Sequence, residues 1–145
     1  MRTIKFRGFN RKNNMWLYGF YLQNRGAHFV CPDEFANGKT WDDYEIDPNT
    51  LGQYIGRNDS NDKPIFEGDV FTINGRYAKV VKYIEDWHSF CVANIDTITD
   101  PCMSRWPDVC NYQQPAPNWW NDFKREITVI DNIHDNPNII KVKKV

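Results

Sequence analysis

The sequence lacks any long apolar run, and no stretch approaches the ~20 residues that a bilayer-spanning helix needs. The first residues, Met-Arg-Thr-Ile-Lys-Phe-Arg, also lack the apolar core that a signal peptide carries. These absences argue against a membrane-bound or secreted protein and predict a cytoplasmic one. In that reducing compartment, the 4 cysteines are expected to be small buried residues and not disulfides.

The chain has no excess of positive charge. It carries 18 Lys and Arg against 19 Asp and Glu, so its formal net charge is -1. Bulk attraction to phosphate is therefore not expected, and nucleic-acid binding would need a local basic patch. The tight basic group Lys141, Lys143 and Lys144 alternates with apolar residues, which is typical of a solvated edge strand or tail.

Motifs that a known reaction requires are also missing. The sequence has no nucleophile elbow, no phosphate-binding Gly-rich loop and no metalloprotease spacing. His88 and Cys91 have the first spacing of a zinc site, but the gaps to Cys102 and Cys110 match no standard zinc motif. Cys91 also lies between apolar residues, which favours a core cysteine. We therefore predict no enzyme, no metal and no cofactor.

β-Strand patterns dominate what is present. Apolar and aromatic runs bounded by turn residues predict strands at 4–8, 15–22, 27–31, 70–73, 76–83, 89–93 and 126–130. Asp47 before Pro48 is typical of a helix or turn cap, and at most one helical turn fits there. The segment 56–63 is the nearest to a linker.

The dipeptide Asn74-Gly75 predicts a hairpin, because a type I′ turn needs positive φ at both central residues. In that register Ile73 faces Arg76 and Phe71 faces Ala78. Alternation along the two strands then divides their side chains between two partly apolar faces. One face carries Phe71, Ile73, Ala78 and Val80, and the other carries Val70, Tyr77, Val81 and Tyr83.

Residues 96–124 contain several prolines and tryptophans, and the prolines predict a long irregular insertion. Bulky aromatic side chains beside an arginine are typical of binding anchors. The predicted binding residues are Arg105, Trp106, Tyr112, Trp119 and Trp120. An equally valid interpretation is that this insertion covers an open end of the β structure or packs on a second copy of the chain.

Three segments, 5–15, 51–70 and 130–137, resemble the signature blocks of the YopX family, whose members are typical of phages and prophages. The central block departs from the family pattern at Ile55, at Phe66 and at Asp62, where glycine is usual. Its Glu67, Gly68 and Asp69 predict a structural turn, with the glycine at positive φ and the aspartate accepting backbone N–H groups. The matching positions are Gln53, Tyr54, Gly56, Asp59, Asn61, Lys63, Ile65, Glu67, Gly68 and Asp69.

The resemblance implies a mainly β protein that ends in a small SH3-like β-barrel, and it implies no established reaction. We accordingly predict one domain over residues 1–145, with an N-terminal antiparallel β unit at 1–50 and the barrel, including its Trp- and Pro-rich insertion, at 64–145. Asn74 and Gly75 form the predicted hairpin turn inside that barrel.

The predicted function is non-catalytic binding of a host protein or a small signalling molecule by a phage or prophage accessory protein, with a homo-oligomer possible. The alternative is a single-stranded nucleic-acid-binding module, in which aromatic residues stack bases and basic side chains follow the backbone. The basic residues available for that role are Arg57, Lys63, Arg76, Lys79 and Lys82. The net acidity of the chain ranks this alternative second.

Overall fold

The computed structural model describes residues 1–95 and 113–140. The protein is mainly β, as predicted, with two antiparallel sheets, one short helix and three single turns of 3₁₀ helix in the described residues. The strands are β1 (Phe6–Asn10), β2 (Met15–Asn24), β3 (Ala27–Cys31), β4 (Asp47–Asn58), β5 (Pro64–Phe66), β6 (Asp69–Ile73), β7 (Arg76–Ile84), β8 (Ser89–Asn94) and β9 (Ile127–Asn132), and the helix is α1 (Pro117–Phe123). The 3₁₀ turns are Trp41–Asp43, Glu85–Trp87 and Pro137–Ile139.

The sheets have the strand orders β3-β2-β1-β4-β5 and β8-β7-β6-β9. The described residues form no closed barrel, so the predicted SH3-like barrel is not confirmed. The chain divides into two compact units, Met1–Gly56 and Arg57–Val145. The single domain predicted over 1–145, with its parts at 1–50 and 64–145, stays a prediction.

The first unit is built on the pairing of β1 with β2, which runs from Phe6 opposite Gly19 to Asn10 opposite Met15. A polar turn joins the two strands, and Asn10 stabilises it by accepting a hydrogen bond from the Asn13 N–H at 2.7 Å. Gly8 allows close packing beneath β1, because a Cβ there would lie 2.5 Å from the Ile46 side chain. A small core of Phe29, Cys31 and Tyr44 completes this unit.

Asp47 before Pro48 was predicted to cap a helix or a turn, and the helix is wrong, because β4 begins at Asp47 and pairs with β1. Asp47 does form the hydrogen bond of a turn cap, because its Oδ1 accepts the Asn49 N–H at 3.0 Å. It produces an irregularity in the β1–β4 register instead of a helix. There the Thr50 hydroxyl accepts the Phe9 N–H at 2.8 Å, in place of a backbone carbonyl.

The hairpin of the second unit has the predicted type of turn, with φ of +53° at Asn74 and +73° at Gly75. Ile73 pairs with Arg76 as predicted, but Phe71 pairs with Lys79 and not with Ala78. The register shifts between Phe71 and Ile73, and a bulge of this kind adds one residue to a strand.

The bulge also corrects the predicted faces of this hairpin. Val70 pairs with Val80, and the two side chains share one core cluster with Cys91, Ala93 and Ile140. The prediction had placed Val70 and Val80 on opposite faces. One unpredicted extra residue was sufficient to reverse the assignment, because side chains alternate along a strand with a period of two.

The predicted irregular segment 96–124 is partly helical, because α1 occupies Pro117–Phe123. Proline breaks regular structure in the interior of an element, but Pro117 lies in the first turn of α1, where the missing N–H costs no hydrogen bond. Residues 96–112 lie outside the described part of the chain.

Candidate functional site

A row of aromatic side chains is exposed on β2 in the first unit. Trp16, Tyr18 and Phe20 occupy alternate positions of this strand, and alternate residues of a strand project from the same face. Tyr18 is 45% exposed and Phe20 is 46% exposed, whereas Trp16 is more buried. Neighbouring exposed aromatic rings of this kind are typical of an interaction surface.

Two basic side chains from β1 and the residue before it lie against these rings. The Lys5 Nζ is 5.7 Å from the centre of the Tyr18 ring. The Arg7 Cζ is 4.8 Å from the centre of the Trp16 ring, and only 4% of Arg7 is exposed. Both distances are those of cation–π contacts.

We call Lys5, Arg7, Trp16, Tyr18 and Phe20 the β1–β2 surface. Its parts differ in role. Arg7 and Phe9 hold Trp16 in place, since the Phe9 ring meets the Trp16 ring edge to face at 5.5 Å. Tyr18, Phe20 and Lys5 are the members that a partner can reach.

Charged residues are unevenly distributed along the sequence. Residues 1–32 contain six Lys and Arg residues and no Asp or Glu, although the whole chain has a net charge of -1. The six are Arg2, Lys5, Arg7, Arg11, Lys12 and Arg25. This asymmetry, together with aromatic residues at 16, 18 and 20, is the sequence signal by which the surface could have been found.

Two of these cations are paired with acidic residues of the same unit. Lys12 Nζ lies 2.9 Å from Asp42 Oδ2 and 3.0 Å from Asp43 Oδ1, and Arg11 bonds the Asp47 carboxylate. The hydrogen bonds that Lys12 donates to the two carboxylates raise the pKa of its ammonium group. Arg11 and Lys12 are therefore partly neutralised within the unit.

The pKa values of the acidic partners of Lys12 shift in the opposite direction. The pKa of Asp43 is lowered because it accepts the Thr40 backbone N–H and hydrogen bonds from Asn13 and Lys12. The pKa of Asp42 is lowered mainly by the Thr40 hydroxyl and then by Lys12. These contacts hold the Trp41–Asp43 turn against the β1–β2 turn.

A surface cavity of about 550 Å³ lies beside these ion pairs. Its walls carry both signs of charge, and Arg11 and Lys12 are already paired with acidic residues there. Its lining holds two cationic and three acidic side chains, so the cavity offers an anionic ligand no excess positive charge. Its lining residues are Asn10, Arg11, Lys12, Asp42, Glu45, Ile46, Asp47 and Pro48.

The binding residues predicted from the sequence are only partly described. Arg105, Trp106 and Tyr112 lie outside the described residues. Trp119 and Trp120 lie in α1, and the Trp120 ring is tilted against the fully buried Phe71 at 5.9 Å. Trp119 contacts Trp120 at 5.0 Å and Phe123 at 5.2 Å, so both rings pack within the second unit.

Several residues of the central signature block form backbone contacts. Asp59 Oδ1 accepts the N–H groups of Asn61 and Lys63, both at 2.9 Å, and Asp59 Oδ2 accepts the Val129 N–H at 3.0 Å. The Ser60 N–H bonds the Ile127 carbonyl at 2.8 Å. The loop after β4 thereby satisfies backbone groups of β9, which blunts the edge of the second sheet.

The rest of the block follows the same pattern. Gly68 has a φ of +89°, and the buried Asp69 carboxylate accepts the Phe66 N–H at 2.8 Å. Asp62 has a φ of +63° where the family usually has glycine, and its carboxylate accepts a hydrogen bond from Asn58. Gln53, Tyr54 and Gly56 lie in β4, Lys63 is exposed, and Glu67 lies with Gly68 in the turn between β5 and β6.

The third block is likewise occupied by internal contacts. Asn132 Oδ1 accepts the N–H groups of His134 at 3.0 Å and Asp135 at 2.8 Å, and Asn132 Nδ2 donates to Asp135 Oδ2. These are the contacts of a capped turn that follows β9. The resemblance in this block therefore falls on residues that shape the backbone.

The described cysteines have no features of nucleophiles. Cys31 and Cys91 are buried, and burial raises the pKa of Cys91 to about 11. A thiol with a raised pKa is protonated and unreactive near neutral pH. In residues 1–95 and 113–140 no group of three His, Cys, Asp or Glu side chains could hold a metal ion, and Cys102 and Cys110 lie outside these ranges. Within the same ranges no helix is long and apolar enough to cross a membrane.

Comparison with known proteins places the chain in a family. One solved structure with a similar fold is that of protein EF1440 from Enterococcus faecalis, with a TM-score of 0.57, 18% sequence identity, and coverage of 97% of this chain and 100% of that chain. At that identity the likeness shows the fold alone. No curated protein matches the sequence.

The family described as YopX protein matches residues 5–141, which is nearly the whole sequence. The match confirms the resemblance that the three sequence blocks indicated. The chain belongs to the YopX family.

Proposed function

We propose that this protein is a phage- or prophage-associated accessory protein that binds an anionic partner on its β1–β2 surface and catalyses no reaction. The phage association comes from membership of the YopX family, which is not known as enzymatic. The observation that carries the binding role is the exposure of Tyr18 and Phe20, each close to half, beside the Lys5 ammonium group.

The energetic argument rests on what a partner would gain there. Covering two half-exposed aromatic rings removes apolar area from water at roughly 25 cal/mol per Å². The buried Arg7 and the Phe9 ring hold Trp16 in position, so little order has to be created on binding. The absence of acidic residues from 1–32 favours a negatively charged partner.

The partners predicted from the sequence are a host protein or a small signalling molecule in the bacterial cytoplasm, and an anionic member of either class fits the surface. The insertion at 96–124 remains a second candidate binding surface, and it could also join copies of the chain in a homo-oligomer. Its predicted binding residues are Arg105, Trp106, Tyr112, Trp119 and Trp120. The SH3-like barrel likewise remains a prediction for the second unit.

The proposed function is tested by native mass spectrometry of the protein purified from bacterial cytosol. We expect a copurifying host protein or small anion on the unaltered chain and its loss from a Lys5→Glu variant, because charge reversal beside Tyr18 repels an anion. A Lys39→Glu variant is the matched control, since Lys39 is exposed in the same unit and outside the β1–β2 surface. Equal retention by both variants would contradict the proposal.

A further inference from the structure

We infer that the partner bound by the β1–β2 surface is single-stranded nucleic acid, whose bases stack on Tyr18 and Phe20 while Lys5 contacts the phosphate backbone. This inference rests on the proposed function, because it uses the same surface and names the chemical class of the anion. In the sequence analysis, the net charge of the whole chain placed nucleic acid second, after a host protein or a small signalling molecule. The inference reverses that order.

The spacing of the rings indicates a strand and not a duplex. Alternate residues of a β-strand are roughly 6.8 Å apart, since each residue rises about 3.4 Å. Successive bases of a duplex strand are about 3.4 Å apart and are stacked on one another. Bases can reach neighbouring rings of β2 only when they are splayed apart, and a flexible single strand allows this.

The shape of the surface gives a second reason to exclude the duplex. A duplex is read by a helix or a two-stranded ribbon that enters the major groove. The exposed rings of the β1–β2 surface instead belong to β2, which is flanked by β1 and β3 in the sheet. Exposed aromatic rings at alternate positions of a strand are suited to planar bases.

The combination of ring and cation separates nucleic acid from an acidic protein. An acidic protein would pair a carboxylate with Lys5 and cover Tyr18 and Phe20 with other side chains, whose spacing differs from one sequence to another. A nucleotide uses both, since every base has a π face and every linkage has a phosphate. Arg2 is exposed three residues before Lys5 and adds a second cation in the N-terminal part of the chain.

The experiment measures fluorescence anisotropy with a labelled 12-nucleotide oligo-dT as the probe, over a range of salt concentrations. The comparison ligands are the same strand annealed to oligo-dA, free thymidine monophosphate, and a poly-glutamate peptide. The variants are Tyr18→Ala with Phe20→Ala, and separately Lys5→Gln. The matched controls are Tyr77→Ala, at an aromatic residue 70% exposed on β7, and Lys39→Gln.

We expect the single strand to bind more tightly than the duplex or the mononucleotide. The double aromatic variant should weaken that binding by about 25-fold or more, because loss of each stacked base costs about fivefold or more. Lys5→Gln should reduce the slope of log K against log salt by about 0.7, the amount for one phosphate contact on a single strand. Thermal melting checks that each variant remains folded, and the two controls should bind as the parent does.

Each contrary result has a distinct meaning. Binding of poly-glutamate but not of oligo-dT, lost in the same variants, would overturn the nucleic-acid inference and leave the proposed function standing. Duplex binding as tight as single-strand binding, or equal affinity for the mononucleotide, would also overturn the inference. No binding of any of these ligands, with host material retained equally by the Lys5→Glu and Lys39→Glu variants, would overturn both.

Discussion

Aromatic residues are used differently in the two units of this protein. In the first unit, Tyr18 and Phe20 on β2 are nearly half exposed beside a lysine. In the second unit, Trp120 packs on the buried Phe71, and Trp119 packs on Trp120 and Phe123. An abundance of tryptophan therefore does not by itself identify a binding surface, because neighbouring side chains decide whether a ring is available.

Charged residues show a parallel difference. In the first unit Lys5 lies over an exposed ring, whereas in the second unit Asp59 and Asp69 are buried and accept backbone N–H groups. The signature residues of the second unit should accordingly affect stability, and the β1–β2 surface should affect binding. The following predictions test this division, beginning with the largest expected effect.

Asp59→Ala should lower the free energy of unfolding by about 3 kcal/mol or more, because three backbone N–H groups lose a charged acceptor. Urea denaturation measures the change. Asp62→Ala is the matched control in the same loop, since Asp62 is exposed and accepts only the Asn58 amide among the contacts described for it. Equal losses in the two variants would refute the special role of Asp59.

Gly68→Val should lower the free energy of unfolding by roughly 1 to 3 kcal/mol, because a β-branched residue is strained at positive φ. Gly68 has a φ of +89° and is buried, and its N–H bonds the Val81 carbonyl at 2.9 Å. Differential scanning calorimetry should show a lower melting temperature. Melting at the parental temperature would mean that the Glu67-Gly68-Asp69 turn tolerates any residue and is not a structural requirement.

Gly75→Ala should lower the free energy of unfolding by about 1 kcal/mol, which is the strain of placing a Cβ at positive φ. Apart from Gly75 itself and its two neighbours in the chain, no heavy atom lies within 4 Å of the position of that Cβ, so the change in stability measures the backbone strain alone. The fold and the Ile73–Arg76 register should persist, as amide hydrogen exchange can show. A loss of stability several times larger would show that the substitution disturbs more of the hairpin than its turn.

The smallest effect concerns acid sensitivity in the first unit. The pKa values of Asp42 and Asp43 are lowered from 3.8 in the folded chain, so their stabilising contribution is present above that pH and is lost as the pH falls. Lys12 has a raised pKa, so its contribution is present below 10.5 and is lost at higher pH. Lys12→Met should make melting less dependent on pH below 4, and an unchanged profile would contradict this pairing.

Much of the fold was predictable from local patterns. Seven of the nine described strands, the Asn74-Gly75 turn and the family blocks are determined by residues that are close in sequence, whereas β4 and β5 were not predicted. The register of Phe71 was not predictable, because the bulge that shifts it depends on packing on both faces of the hairpin. The strand at Asp47 was missed because turn-forming side chains and pairing with β1 coexist there.

The candidate site was predictable only in part. The sequence showed aromatic residues along β2, but alternation alone does not reveal which face of a sheet is left exposed. The net charge of the whole chain, which is -1, does not reveal that residues 1–32 contain six Lys and Arg residues and no Asp or Glu. Trp119 and Trp120 were assigned to a loop, and α1 instead brings Trp120 onto Phe71.

The central claim is that recognition lies on the β1–β2 surface, and comparison of two double variants tests it most directly. Tyr18→Ala with Phe20→Ala, and Trp119→Ala with Trp120→Ala, are each measured for oligo-dT affinity and for the free energy of unfolding. We predict that the first pair loses binding while stability changes by less than about 1 kcal/mol, and that the second pair loses about 2 to 4 kcal/mol of stability while the folded fraction binds normally. The reverse pattern, with binding lost only in the folded Trp119 and Trp120 variant, would contradict the claim and move recognition to the insertion.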